Sequence, residues 1–532
     1  MTDPRAVPQS SGRFGPGAVF AVAVGIALAF ALFTDQRWED YYITFRVSQN
    51  LVRGAGLVYQ SGERVHAFTS PLGVLLPALI SWLTGTRSDE LTFWIFRLAT
   101  IGAFGGAVAT VWSIARTLGW SLWSCALASG LLMTDAKSVS FSVNGMETAF
   151  MLLFLALAIQ RLVVDSRRGG WRLGCCWAGL LWTRPDGFVF FGSVALAWWL
   201  FAPGSSAPGG RRDLAGLYLK AAGACAALYL PWFIWAWCYF GSPVPHTVVA
   251  KGLSLHPPGW TTLLVQLVTL PIRAWGAGGW DTLLMPIYFG GWPHFIVYLG
   301  RPLVAIALCA FALPRMGTSV RALSVALVFA VFYLTSIDLF PWYFPPAAML
   351  TFLVLAGVLE AGLRATRHKF IPIAAGAAAV LLTVSLLLAS TWELRQQQQI
   401  IEVNRRAIGE WLRSHRSSPN DTVFLEPLGY IGYYSQLKML DYPGLSSPEV
   451  VAARRKVGEN WLEIIAALNP RWVVQRPNEL HTDDQTLNSW FFKTYSPAKV
   501  FHVGDQVAAI HFLPGRPYLV HDQAFLVWRR ND

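Results

Sequence analysis

The sequence predicts a mostly α-helical membrane protein. It should be a polytopic bundle of about 11–12 transmembrane helices, with interfacial helices in the first outer loop and a small C-terminal soluble α/β domain. Three observations predict this class. Of 532 residues, 54% are hydrophobic and only 14% charged, with mean hydropathy +0.43, whereas soluble domains carry about a quarter charged residues. Long apolar runs recur from the N-terminal region to about residue 391. From about Trp392 the pattern changes to a polar-faced helix and short strands.

The apolar runs lie near 17–34, 71–84, 92–115, 121–134, 148–164, 173–183, 188–201, 214–238, 299–313, 320–337, 344–362 and 370–391. A crossing helix needs about 20 residues, with a lower limit near 17. The shorter runs therefore imply displaced borders or helices capped by buried polar residues. The opening "MTDPRAVPQSSGRFGPG" leads into the first run without a small-residue cleavage site, and is read as preceding a retained span. The 25 tryptophans suit belts at both membrane faces. Cys125, Cys175, Cys176, Cys225, Cys238 and Cys309 lie in or beside apolar runs without metal-ligand spacing, and read as buried free thiols.

The net charge of +12 resides largely in short loops between apolar runs. It marks cytoplasmic loops rather than a nucleic-acid surface. The basic segments 161–172, 209–213, 314–321 and 364–369, with Arg116 and the Arg5/Arg13 tail, should share the inner side. They do so if 71–84 dips into the membrane and returns, leaving about eleven full spans. Segments 35–91, 135–147, 184–187, 239–298, 338–343 and 392–532 then all face outward. The chain accordingly divides into a membrane module, 1–391, and an extracytoplasmic α/β domain, 392–532. Strands are expected at 422–426, 471–475, 499–503 and 508–513, with a helix over "EVVAARRKVGENWLEIIAAL".

Ionisable residues at membrane depth are costly and point to function. In "RWEDYYITFR", Glu39 and Asp40 begin a predicted amphipathic helix on which Ile43, Val47 and Leu51 share a stripe. That helix should lie on the membrane, with Tyr41 and Tyr42 as interfacial footing. A partly desolvated carboxylate there can serve as a general base, or be a plain acidic first turn. "GERVHAFTSPLG" contributes His66 and Thr69 just before a helix start at Pro71, and "NGMET" contributes Glu147. "TRPDG" interrupts two short apolar runs with Arg184 and Asp186, as a phosphate-binding break or a local ion pair. "YFGSPVPHTVVAK" offers His246 and Lys251 to an anionic head group, or to solvent. In "DLFPWYFPP", Asp338 and Tyr343 flank a proline-broken turn that reads as aromatic belt. Phosphate loops, zinc-protease helices and nucleophile elbows do not occur.

In this order, "EDYYITFRVSQNLVRGAGLVYQSGERVHAFTSPLG", "NGMETAF", "LLWTRPDGF", "YFGSPVPHTVVAK" and "GYIGYYSQLKMLDYPGLSSPEVV" resemble the GT-C membrane glycosyltransferases. The resemblance is to the branch that includes the mycobacterial terminal arabinofuranosyltransferases, and covers residues from about 35 to about 455. It implies an inverting transfer of a sugar, arabinofuranose by nearest resemblance, from a polyprenyl-phosphate donor. The acceptor would be a glycan, lipid or protein on the outer face of the inner membrane.

The resemblance further implies Asp40 as base with Glu39 beside it. Arg184, Lys251 and His246 would contact the donor phosphate, with Arg46, His66, Thr69, Glu147 and Asp186 in the same substrate-binding set. The departure at "VHAFTSPLG" bears on sugar selectivity through His66. No cofactor is required by the sequence. Outward acids could hold a divalent cation, although no dedicated ligand set occurs. The competing classes are a transporter or flippase of lipid-linked sugars, another polyprenyl-phosphate hexose transferase, and a non-catalytic assembly protein. A transporter needs polar residues along both halves of a pathway, whereas these cluster on one face.

Overall fold

Helices form over the apolar runs and pack into a bundle whose core is almost wholly aliphatic and aromatic. The computed structural model describes residues 15–85, 88–164, 169–202, 210–253, 259–273, 284, 294–335, 337, 340–480 and 483–531. Asp338 lies outside them. By length and composition, Pro16–Thr34, Asp89–Thr117, Arg211–Phe240, Pro341–Ala365 and Phe370–His415 are long and apolar enough to cross a membrane, and seven further apolar helices are shorter.

The Arg211–Phe240 helix turns Leu219, Leu228, Leu230, Ile234, Trp235 and Trp237 outward. Such a face is stable where the surrounding medium is lipid rather than water. The Pro71–Leu83 helix has 13 residues. At 1.5 Å per residue it spans about 20 Å, short of a hydrocarbon core of about 30 Å. The helices Gly170–Thr183 and Gly187–Phe201 are separate because Arg184 is extended ahead of Pro185, as the residue before a proline tends to be.

The Glu39–Val52 helix forms where predicted, but it does not lie on a membrane surface. Tyr41, Tyr42, Ile43, Phe45, Arg46, Val47, Ser48 and Gln49 are all buried. Two cores claim opposite sides of it. Ile43 and Val47 pack with Phe68, Val74, Leu428, Ile431 and Met439. Tyr41, Tyr42 and Phe45 pack with Phe93, Phe96, Tyr430 and Tyr433. The two tyrosines are thus internal packing, not interfacial footing. The helix is a wedge between the membrane bundle and the C-terminal domain.

That domain carries a five-stranded mixed sheet, ordered β2-β1-β3-β5-β4. The strands are β1 Thr422–Leu425, β2 Lys438–Asp441, β3 Trp472–Gln475, β4 Tyr495–His502 and β5 Ala524–Arg530. β1 pairs in parallel with β2 and β3, while β5 runs antiparallel to β3 and β4. The strand expected over 508–513 is absent. A short helix, Gly504–Ala508, and a turn occupy that region, and "AFLVWRR" supplies the pairing strand instead. The expected single helix after β2 is two, Pro448–Val457 and Trp461–Leu468, because Gly458 breaks it at φ 89°. The Phe370–Gln396 helix continues through a π-helical turn, Gln397–Glu402, into Val403–His415. Helix thus runs from the bundle into the sheet domain without a linker.

All six cysteines are free. Cys125, Cys176 and Cys225 are buried as expected, but Cys238 is exposed, on the outward-facing Arg211–Phe240 helix.

Candidate active site

Asp40 stands half-buried in the first turn of the Glu39–Val52 helix. The position of that turn is set by the loop that "NGMET" forms. Trp38 donates its backbone N–H to the Asn144 carbonyl at 2.8 Å. Gly145 adopts φ 97°, and a Cβ there would stand 2.6 Å from the Tyr41 ring. Only glycine allows both that conformation and that approach.

Asp40 lines two cavities. The smaller, about 90 Å³, is also lined by Thr44, Thr69, Glu147, Arg184, Thr247 and Lys251. With Trp342, Tyr343 and Leu445, seven separate segments meet there, and four of the predicted site residues besides Asp40 are among them. Arg184 Nε donates to Asp186 at 2.9 Å, and its Nη1 lies 3.7 Å from Glu147. The guanidinium also sits 4.5 Å from the Tyr343 ring centre. Asp186 holds Arg184 rather than lining the cavity. Lys251 Nζ lies 4.3 Å from the Phe340 ring centre, and among the described residues it makes no ion pair.

Burial raises the Asp40 carboxyl, while Lys251 and Arg184 pull it back down. Burial likewise lifts Glu147 from its usual 4.5 to about 7, against the pull of Arg184. For Glu147 this places proton exchange near neutrality.

The larger cavity, about 590 Å³, opens between the bundle and the sheet domain. Asp40 and Trp342 line both cavities. Glu39 faces this second cavity and is bound there. It accepts the Gly429 N–H at 3.0 Å and pairs with Arg405 at 2.8 Å. Glu39 thus ties the first outer loop to the C-terminal domain, and does not stand in for Asp40.

Three predicted substrate contacts lie elsewhere. Arg46 donates to the Gly432 and Leu437 carbonyls at 2.8 and 3.0 Å and lies over the Tyr59 ring. It is a strut under the sheet domain, six positions from Asp40 and turned to another helix face. His66 stacks on Phe240 at 4.3 Å, and burial pushes it down to about 4, so it is a neutral packing group. His246 begins the His246–Gly252 helix, five positions before Lys251, and its backbone N–H donates to the His66 carbonyl. Burial pushes its imidazole down.

Arg405, Arg476, Asp522 and Trp461 of the larger cavity carried no sequence signal, and Tyr442 lay in a quoted segment without being singled out. Each sits on an element that looks like ordinary surface until the domain docks. Trp342 lay in a stretch read as aromatic belt, and its proline-broken turn was the one available hint. Among the described residues no group of three or more His, Cys, Asp or Glu side chains is arranged to hold a metal ion.

Residues 391–524 match the family described as Domain of unknown function (DUF8728). A terminal β-(1→2)-arabinofuranosyltransferase of Corynebacterium glutamicum is 26% identical over 305 residues, which is 51% of this chain and 42% of that protein. The Mycobacterium tuberculosis protein of the same name is 29% identical over 168 residues, 30% of this chain and 25% of that one. The chain thus spans less than half the length of these relatives. In three dimensions it is similar to ArnT from Cupriavidus metallidurans bound to undecaprenyl phosphate. The TM-score is 0.55 at 13% identity, over 96% of this chain and 97% of that one. The chain therefore has the fold of the GT-C membrane glycosyltransferases and resembles, in sequence, their terminal arabinofuranosyltransferases.

Proposed function

We propose that this multi-pass membrane protein is an inverting glycosyltransferase that uses a polyprenyl-phosphate sugar as donor. One observation carries the reading: Asp40 stands between a small pocket bearing Arg184 and Lys251 and a large open cleft. A base is thereby set between a place for a phosphate and a place for an acceptor.

In the reaction, Asp40 takes the proton of an acceptor hydroxyl. The oxygen attacks the anomeric carbon on the face opposite the phosphate, and the bond from that carbon to the phosphate oxygen breaks. Lys251 and Arg184 receive the charge that develops on the departing phosphate. Thr69 and the buried Thr247 hydroxyl, which has no partner among the described residues, supply neutral hydrogen bonds at the pocket wall. The phosphate is already a good leaving group, so no strong acid is needed.

An apolar cleft of about 450 Å³, lined by Leu51, Leu57, Leu75, Trp182, Leu228 and Trp232, suits an isoprenoid chain. Its Trp232 ring lies 6.4 Å from Phe68, which lines the cationic pocket. Arabinofuranose is the favoured sugar by the resemblance, with a hexose as alternative. The site and residues 392–532 are assigned to the extracytoplasmic face of a bacterial inner membrane, in keeping with the basic loops. The test is to incubate purified protein with a panel of polyprenyl-phosphate sugars and an oligosaccharide acceptor. Consumption of one donor with release of polyprenyl phosphate supports the reading, and consumption of none overturns it.

A further inference from the structure

The larger cavity has a charge pattern opposite to that of its neighbour. Its walls carry the carboxyls of Glu39, Asp40, Glu402, Glu426, Glu479 and Asp522, against two guanidinium groups. Both of these are already saturated by acids. Arg405 binds Glu39, Glu402 and Asp522. Arg476 binds Asp522, Glu426 and Glu479. His521 is the one other basic side chain on the wall. An anionic ligand entering here would meet carboxyls that outnumber the cations and no uncommitted arginine among the lining residues, a juxtaposition that opposes binding.

Two features show what does fit. Aromatic faces surround the cleft: Trp38, Trp342, Tyr442, Trp461 and Tyr518. Such faces accept the C–H surface of a sugar ring while leaving its hydroxyls free. In addition, Gln397 is 2% exposed and lines the cleft, and its Oε1 has no hydrogen-bond partner among the described residues. A buried acceptor without a donor is costly, and a ligand hydroxyl would satisfy it. Carboxylates left with spare lone pairs accept hydroxyl hydrogens in the same way.

We propose that this cleft is the acceptor site and that it selects an uncharged, hydroxyl-rich glycan over phosphorylated or uronate-bearing acceptors. The assignment rests on the transferase reading and narrows its acceptor class. The two cavities then divide the work by charge. Cations meet the donor phosphate, acids and rings meet the acceptor hydroxyls, and Asp40 borders both.

The test uses the full chain in lipid nanodiscs without donor. Binding is followed by saturation-transfer NMR with an arabinofuranosyl trisaccharide, a mannosyl trisaccharide and trigalacturonate. At least one neutral trisaccharide should bind about tenfold or more tighter than trigalacturonate. Trp461→Ala should weaken the neutral ligand by about tenfold while leaving undecaprenyl-phosphate binding unchanged. Equal or tighter binding of trigalacturonate, binding of none of the three, or indifference to Trp461→Ala overturns the proposal. The two readings fail separately. Transfer onto an anionic acceptor would sink the acceptor class and keep the transferase, whereas neutral-glycan binding with no donor turnover would do the reverse.

Discussion

The Arg405 guanidinium lies 2.8 Å from the Glu39 carboxylate, joining the residue next to the proposed base to the far domain. Arg405 also binds Glu402 at 3.0 Å and Asp522, so one cation serves three acids. Replacing Arg405 by Met leaves Glu39 and Glu402 without that cation and Asp522 with Arg476 alone, and should cost about 3–5 kcal/mol. Thermal unfolding in detergent will read the loss. An unchanged melting temperature would show that the contact does not hold the domains together.

Asp40→Asn keeps the shape of the helix start and removes the base. Transfer should fall by about 10²–10⁴-fold, with the melting temperature and donor binding preserved. Near-normal turnover in a radiolabelled transfer assay would sink the assignment.

Lys251 faces the small pocket without an ion pair among the described residues. Lys251→Met should weaken the donor by about 1.5–3 kcal/mol, seen as a raised donor KM. Arg46→Met is the contrast, since Arg46 binds the Gly432 and Leu437 carbonyls and lies over the Tyr59 ring. It should lower stability and leave donor KM alone. An effect of Arg46→Met on donor KM would return that residue to the substrate set.

Glu147 should make stability depend on pH. Burial raises its carboxyl from 4.5 to about 7 in the fold, so in that interval the native protein holds a proton that the unfolded chain has released. Stability then falls as pH rises through the interval and levels off above it. Glu147→Gln should reduce that slope in unfolding measurements. An unaltered slope would mean the carboxyl is ionised in the fold.

Chelation should leave transfer unchanged. The reaction as proposed places Arg184 and Lys251 where a metal would otherwise neutralise phosphate. Loss of turnover in EDTA, restored by a divalent cation, would add a metal to the site.

Charge placement along the chain was enough to bring Asp40, Thr69, Glu147, Arg184 and Lys251 to one end of the bundle, because positive loops set which segments share a face. It could not separate those residues from Arg46, His66 and His246, which occupy the same segments. That distinction depends on side-chain direction. Thr247, Val248 and Lys251 line the pocket, while His246 on the same helix does not. The sheet domain was legible where a short apolar run stands between polar residues, as at β1 and β3, which are buried almost throughout. It was misread at 508–513, whose apolar residues fold as a helix and turn. The larger cavity was illegible. Arg405 and Arg476 are charged residues in polar stretches, and only docking turns them inward.

The uninterrupted helix from Phe370 to His415 makes the bilayer a working part of the protein. A spanning helix answers hydrophobic mismatch by tilting. This one carries Gln397, Glu402 and Arg405 beyond its apolar stretch, straight into the wall of the cleft. Tilt in the lipid would reach that wall through the π-helical turn Gln397–Glu402. The expected outcome is a turnover that differs between nanodiscs of short- and long-tailed lipids, and equal rates in the two would uncouple the cleft from membrane thickness.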